Sequence, residues 1–212
     1  MVAADHTSLH LVAGEEGSKR RQILDGARKV FMDLGFDAAS MGEIARTAGV
    51  SKGTLYVYFA DKHRLFEAIV EEQAVERGQL LFCDPAGDTK ATLRNFGEAY
   101  AAMICRPGNR SAVRMVIAIA ERMPELGRCY YERVLETTIS RLAEYLQARV
   151  KLNELAIDDC RLAAAQFVLM CQASLFLPFI FHAAPAPSQE RITEVVNSAV
   201  AMFLAAHEVK SV

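Results

Sequence analysis

Residues Ser40–Phe59 read SMGEIARTAGVSKGTLYVYF. Ser40 followed by Glu43 is a capping-box pattern, and it opens a short helix through Gly42, Ile44, Ala45 and Ala48. Gly49 sits where the following turn needs a positive φ, and Val50 and Ser51 open a second short helix ending near Phe59. Ala45 is small where the two helices would cross, and Ile44, Val50, Leu55 and Phe59 supply their apolar contacts. This is helix-turn-helix spacing. It leaves the second helix proud of the surface, with Ser51, Lys52, Gly53, Thr54, Tyr56 and Tyr58 free to enter a major groove about 12 Å wide.

The flanks extend this unit in both directions. Lys19 to Leu34 reads as a helix with Ile23, Ala27, Val30, Phe31 and Leu34 on one face, Gly35 as its stop, and Lys19, Arg20, Arg21, Arg28 and Lys29 facing solvent. On the other side Asp61 caps a helix that runs from Lys62 through Leu65, Phe66, Ile69 and Val70 to about Leu81. Residues 1–17 mix acids and Gly with short apolar pairs; they lack the basic and apolar regions of a secretion signal and read as a flexible tail. After a loop at Asp84, Pro85, Gly87 and Asp88, helices are predicted at 89–105, 110–122, 124–150, 158–183 and 188–208. No segment alternates as a strand would and no internal repeat is visible, so the fold class is all-α. A three-helix helix-turn-helix unit at 18–65 precedes a larger helical bundle at 66–212.

The chain has 212 residues, 52% hydrophobic and 24% charged, which suffices for a sizeable core. Its net charge of −2 gives no hint of a nucleic-acid partner until it is split. Ser18 to Phe66 carries nine basic and five acidic residues, +4, and leaves −6 for the remainder. A basic head on an acidic body suits a module that meets phosphates. From Leu162 to Gln189 there is no charged residue, but Gln166, Gln172, Ser174, Pro178 and His182 interrupt the run. A lone membrane span has no partners for such groups, so the run reads as a helix buried at a subunit interface. The stripe Ile192, Val195, Val196, Ala199, Val200, Phe203 and Leu204 supplies a second apolar helix beside it.

Taken together, the head resembles the TetR/AcrR-type bacterial transcriptional regulators. The likeness spans Arg21 to Phe66: I-L-D-x-A at Ile23–Ala27, F-x-x-x-G-F at Phe31–Phe36, E-I-A-x-x-A-G-V-S-K-G-T-L-Y-x-Y-F at Glu43–Phe59, and D-K-x-x-L-F at Asp61–Phe66. His63 departs from the Glu often found there. The resemblance implies a cytoplasmic homodimer whose heads read a palindromic DNA operator and whose bodies bind a small effector, most simply as a repressor. By position, Lys52, Gly53 and Thr54 would approach base edges or phosphates, Tyr56 and Tyr58 phosphates or thymine methyls, and Ser40, Thr47 and Lys62 the DNA backbone. The helices at about 158–183 and 188–208 resemble the family's dimerisation pair, and Arg114–Glu132 resembles a second-domain pattern of an AcrR-like branch.

For an effector, apolar or amphipathic, the candidate contacts among the middle helices are Phe96, Tyr100, Met103, Met115, Ile119, Phe167, Met170 and Cys171, with Met123 and Phe176 beside them. Gln166, Gln172, Tyr145 and Arg122 are candidate polar partners. The competing reading of these side chains is plain core. An alternative switch is oxidation of a cysteine: Cys83, Cys105 and Cys129 lie near loops or helix ends, with Arg106 and Arg128 adjacent to two of them, while Cys171 looks inert. The five cysteines contain no C-x-x-C, and the five histidines have no ligand spacing. No catalytic motif is present, so neither metal, cofactor nor enzyme activity is expected.

Overall fold

The computed structural model describes the backbone of residues 6–209 and the side chains of residues 17–107 and 112–209. Among the described residues eleven α-helices and one π-helical turn follow one another. The head contains α1 (His6–Ala38), α2 (Met41–Thr47) and α3 (Lys52–Tyr58), and α4 (Lys62–Leu80) leads out of it. The body adds α5 (Thr89–Ile104), α6 (Pro107–Ala120), α7 (Pro124–Tyr130), a π-helical turn at Tyr131–Glu136, α8 (Thr137–Lys151), α9 (Cys160–Gln172), α10 (Phe176–Ile180) and α11 (Gln189–His207). The only β pairing among the described residues is an isolated bridge between Leu155 and Glu208.

Three expectations about element boundaries change. Residues 6–17, read as tail, continue α1 as helix, whereas residues 1–5 lie outside the described chain. The segment has no proline, and adding turns to an existing helix costs far less than nucleating one. Gly35 (φ 78°, ψ 165°) kinks α1 where its stop was expected. Between 158 and 183 the helix breaks: Pro178 cannot donate to the carbonyl of Ser174, and Ser174 itself turns left-handed at φ 57°. The chain therefore forms α9 and the short α10 with a turn between them.

The predicted helix at 124–150 is present but underwound at its centre. Leu126, Tyr130, Val134, Thr138, Leu142 and Leu146 recur every fourth residue and all are buried. In a regular helix of 3.6 residues per turn each such step drifts by about 40° around the axis. A π-helical turn at Tyr131–Glu136 absorbs the drift and keeps this stripe facing inward.

Two apolar cores result. The body core joins α5, α8, α9 and α11 around Leu93, Phe96, Leu142, Phe167 and Phe203. The head core, with Ile23, Phe31, Phe36, Ile44, Leu55 and Phe66, does not end at the head: Val116 and Ile119 of α6, Leu126 and Tyr130 of α7, and Val134 belong to it. The boundary drawn near residue 65 is thus a boundary of chain order, and the packing runs across it.

Within the head, α1 crosses α2 at Gly26, where a Cβ would lie 2.6 Å from Ala48 Cβ and 2.8 Å from Ala48 Cα. Gln22 locks the same crossing by donating from Nε2 to Ala48 O at 2.6 Å. Because backbone as well as side chain blocks the space, Gly26→Ala should destabilise the protein by about 1–3 kcal/mol, read as a lower midpoint of urea unfolding.

Candidate nucleic-acid interface and junction cavity

The exposed helix α3, the second of the helix-turn-helix, is set by local chemistry. Ser51 caps α3, accepting from Thr54 N at 3.0 Å, and its hydroxyl also meets Thr54 Oγ1 at 2.8 Å. Leu55 and Phe59 are buried beneath α3. Gly49 makes the turn at φ 65°, and Val50 N donates to Ala45 O at 3.0 Å, which fixes the angle between α2 and α3.

On the outer surface the structure gathers Thr47, Lys52, Gly53 and Tyr56, all exposed, with Thr54 and Tyr58 half-buried beside them. Tyr56 is 53% exposed, so it is free of the core, while Tyr58 packs on it. Gly42 carries the Lys52 chain, since a Cβ there would lie 3.1 Å from Lys52 Cε. Ser40 is engaged with its own helix: it accepts from Glu43 N at 3.2 Å and donates to Glu43 Oε2 at 3.0 Å.

Lys62 departs from its expected role. Its ammonium donates to the carbonyls of Phe36 (2.8 Å), Asp37 (3.0 Å) and Ala39 (3.3 Å) and lies 4.8 Å from the Phe36 ring centre. Those carbonyls are left over where α1 ends, so Lys62 ties off that helix and its donors are spent inside the head. The head's basic surplus is likewise partly spent within the fold: Arg28 pairs with Glu72 of α4 at 2.6 Å, and Arg20 with the same carboxylate at 3.4 Å.

A cavity of about 480 Å³ lies where head and body meet. Its walls come from Phe31 and Met32 of α1, Ile69, Val70, Gln73 and Arg77 of α4, Met103 of α5, Met115 and Val116 of α6, and Tyr130 of α7. Of the eight expected effector contacts, Met103 and Met115 stand on this wall. Ile119 and Met115 line an adjoining cavity of about 420 Å³ under Gly35 to Ala38, as does Arg122, which is paired with Asp37 at 2.5 Å. Phe96, Tyr100, Phe167 and Cys171 line neither; they fill the body core, with Met170 packed against it. Phe96 sits 6.4 Å from Tyr100 and 6.5 Å from Phe167, centre to centre, closing the space an effector would need. Tyr145 is in that core too, Gln172 accepts from the Tyr100 hydroxyl at 3.3 Å, and Gln166 is exposed on α9.

The α4 contribution was missed, although its signal lies in the sequence. Phe66, Ile69, Val70, Gln73 and Arg77 fall at i, i+3, i+4, i+7 and i+11, so two polar side chains prolong an apolar stripe. A polar continuation of a buried face marks either a partner across the interior or a cavity.

The cysteines do not have the character that an oxidation switch requires. Burial pushes the thiols of Cys83 and Cys105 up to about 11 and that of Cys171 to about 12, and it also raises Cys129 and Cys160. Arg106, expected to favour a thiolate at Cys105, is instead paired with Glu76 at 2.7 Å. Among the described residues no group of His, Cys, Asp and Glu could hold a metal, and no helix is long and apolar enough to cross a membrane.

Residues 23–69 match the family profile for bacterial regulatory proteins of the tetR family, and residues 91–209 match the C-terminal domain of AefR-like transcriptional repressors. A solved TetR-family regulator from Mesorhizobium loti shares 28% identity, covers 91% of this chain and 98% of its own, and superposes with a TM-score of 0.82. The flavonoid-responsive regulator FrrA shares 30% identity over 92% of this chain and all of its own, with a TM-score of 0.80. An uncharacterized HTH-type transcriptional regulator of Bacillus subtilis, YhgD, is 24% identical over 165 residues, covering 77% of this chain and 83% of its own. With both head and body matched, the latter over more than half of the chain, the protein belongs to the tetR family of bacterial regulatory proteins and is a DNA-binding transcriptional regulator.

Proposed function

We propose that the protein is a homodimeric repressor that binds a palindromic operator in the bacterial cytoplasm and is released from it by a small amphipathic effector held in the junction cavity. The observation that carries this reading is the composition of the cavity wall, to which α1 of the head and α4, α5, α6 and α7 of the body all contribute. A molecule wedged there acts on the spacing between α1 and α6 directly. Arg122 to Asp37 and Arg28 to Glu72 tie α1 to the body, so a shift of the body is passed to the recognition helix. Two heads on one dimer must present their recognition helices about 34–36 Å apart to enter successive major grooves. An effector that favours another spacing opposes DNA, and complete switching needs roughly 10⁴-fold preference for the released state. The flavonoid-responsive relative supports an effector with aromatic, amphipathic chemistry.

The dimer surface is the outer face of α9 and its neighbours. Leu162, Gln166 and Leu169 recur at i, i+4 and i+7 on α9 and are exposed, as are Ala173 just past its end, Leu177, Phe181 and, on α11, Met202. An uncharged face with this much exposed apolar surface is suited to a second copy packing across a two-fold axis.

The decisive experiment is selection of bound DNA from a random pool by the full chain. Recovery of a palindrome is the expected result, and recovery of no enriched sequence at moderate salt would overturn the proposal. On the selected site, Lys52→Ala should weaken binding and lower the slope of log affinity against log salt by about 2 for a dimer, one phosphate contact per head. Leu169→Glu combined with Leu177→Glu should convert the dimer to monomer in sedimentation velocity and abolish operator binding; a dimer that persists would place the interface elsewhere.

A further inference from the structure

Arg77 is 93% buried by its 7% exposure, lies on the cavity wall, and its Nη1 has no hydrogen-bond partner. Arginine does not shed its proton at any ordinary pH, so this charge cannot escape burial by neutralisation. The contrast with Arg149, buried to a similar degree, is instructive. Its Nη1 and Nη2 donate to Glu154, Asp84 O and Pro85 O at 2.6–3.3 Å, and its guanidinium stacks on Tyr145. Arg77 has two buried phenols as neighbours, Tyr100 and Tyr130, and its charge pulls their acidity in the opposite direction to burial, the larger effect. One turn away on α4, Gln73 Oε1 is also buried without a partner and lines the same cavity.

The remaining charges of the cavity are accounted for. Arg28 is held by Asp25 at 3.1 Å and Glu72 at 2.6 Å, and Arg106 by Glu76 at 2.7 Å. Lys29, exposed at the rim, forms no ion pair among the described residues. Every acid on the lining is therefore already engaged with a rim arginine, and the two uncompensated groups, Arg77 within and Lys29 at the edge, are both positive. Apart from Gln73, the rest of the wall is Phe, Met, Ile, Val, Ala and Tyr.

We infer that the effector is an organic monoanion, an apolar or aromatic frame bearing one carboxylate or acidic phenolate, whose negative oxygen accepts from Arg77 Nη1, while Gln73 Oε1, an acceptor, is open to a hydroxyl donor where the frame carries one. This inference rests on the effector reading above and names its ligand class. Arg77 is deeply buried, and a charged hydrogen bond made there is worth more than the same bond in solvent, so the anion supplies selectivity while the apolar walls supply bulk affinity. Because Arg77 and Gln73 both belong to α4, the helix that also carries Phe66 of the head core, the anion would bind on the element that leaves the head.

The test uses the full chain and two probes of one shape: 2-naphthoate and its uncharged methyl ester. Binding is followed by calorimetry and by the rise in melting temperature. The acid should bind roughly tenfold or more tightly than the ester, and Arg77→Gln should erase that preference while leaving ester binding intact. Arg77→Lys, which keeps the charge but not the fork, should retain part of it. Circular dichroism establishes that the variants are folded. If the ester binds as well as the acid, or if Arg77→Gln keeps the full preference, the anion assignment falls and the cavity reading stands. If neither probe binds the wild-type chain, and decanoate and decanol do not bind either, both fall.

Discussion

The packing of α1 on two partners at once governs the rest of the structure. Its inner face, Ile23, Leu24, Ala27, Val30 and Phe31, closes the three-helix head and in the same core meets Val116 and Ile119 of α6. A 7-residue recognition helix has too little apolar surface to hold itself in place. It inherits its position from α1 through the tight crossing at Gly26 and Ala48, and α1 in turn inherits its position from α4 and α6. The cavity lies along that line of transmission, with α1, α4 and α6 all contributing to its wall.

The two ends of this arrangement were unequally legible in the sequence. The head could be read because local rules decide it: a capping box at Ser40 and Glu43, a left-handed Gly49, a Ser51 cap and an apolar pair at Leu55 and Phe59 all act within a few residues of one another. Lys62 illustrates the limit even there, because which carbonyls an ammonium finds across 23 to 26 residues of chain is not a local matter. The cavity could not be read from periodicity in the middle helices, since a stripe that lines a void and a stripe that fills a core have the same spacing. Phe96, Tyr100 and Phe167 only fill a core; Met103, buried in that same core, and Met115 also line the cavity. What separates them is convergence of five helices from both halves of the chain, with polar Gln73 and Arg77 on α4 as the one trace left in the sequence.

Charge shows a similar division between what a count reveals and what a fold does with it. A surplus of +4 on residues 18–66 agrees with a surface that meets phosphate, yet Arg20 and Arg28 are tied to Glu72 and Lys62 is turned inward. The positive charge left free on the helix-turn-helix itself is small, chiefly Arg46 and Lys52. On the proposed reading, docking on DNA would therefore lean on hydroxyls, the Tyr56 ring and close backbone approach at Gly53 as much as on long-range attraction. The acid Glu72 thus serves to hold α1 to α4 at the cost of charge that would otherwise face the nucleic acid.

The core shared across residue 65 also bears on how such proteins diversify. A head that closed on itself could be cut out and joined to any body, and its DNA specificity exchanged as a cassette. Here a graft ending after α3 would leave Phe31 without Phe66, Ile69, Val116, Ile119, Leu126 and Tyr130, so the recipient's α4, α6 and α7 would have to fit the incoming α1. Operator choice and body shape are therefore inherited together, and substitutions that retune one are constrained by packing that belongs to the other.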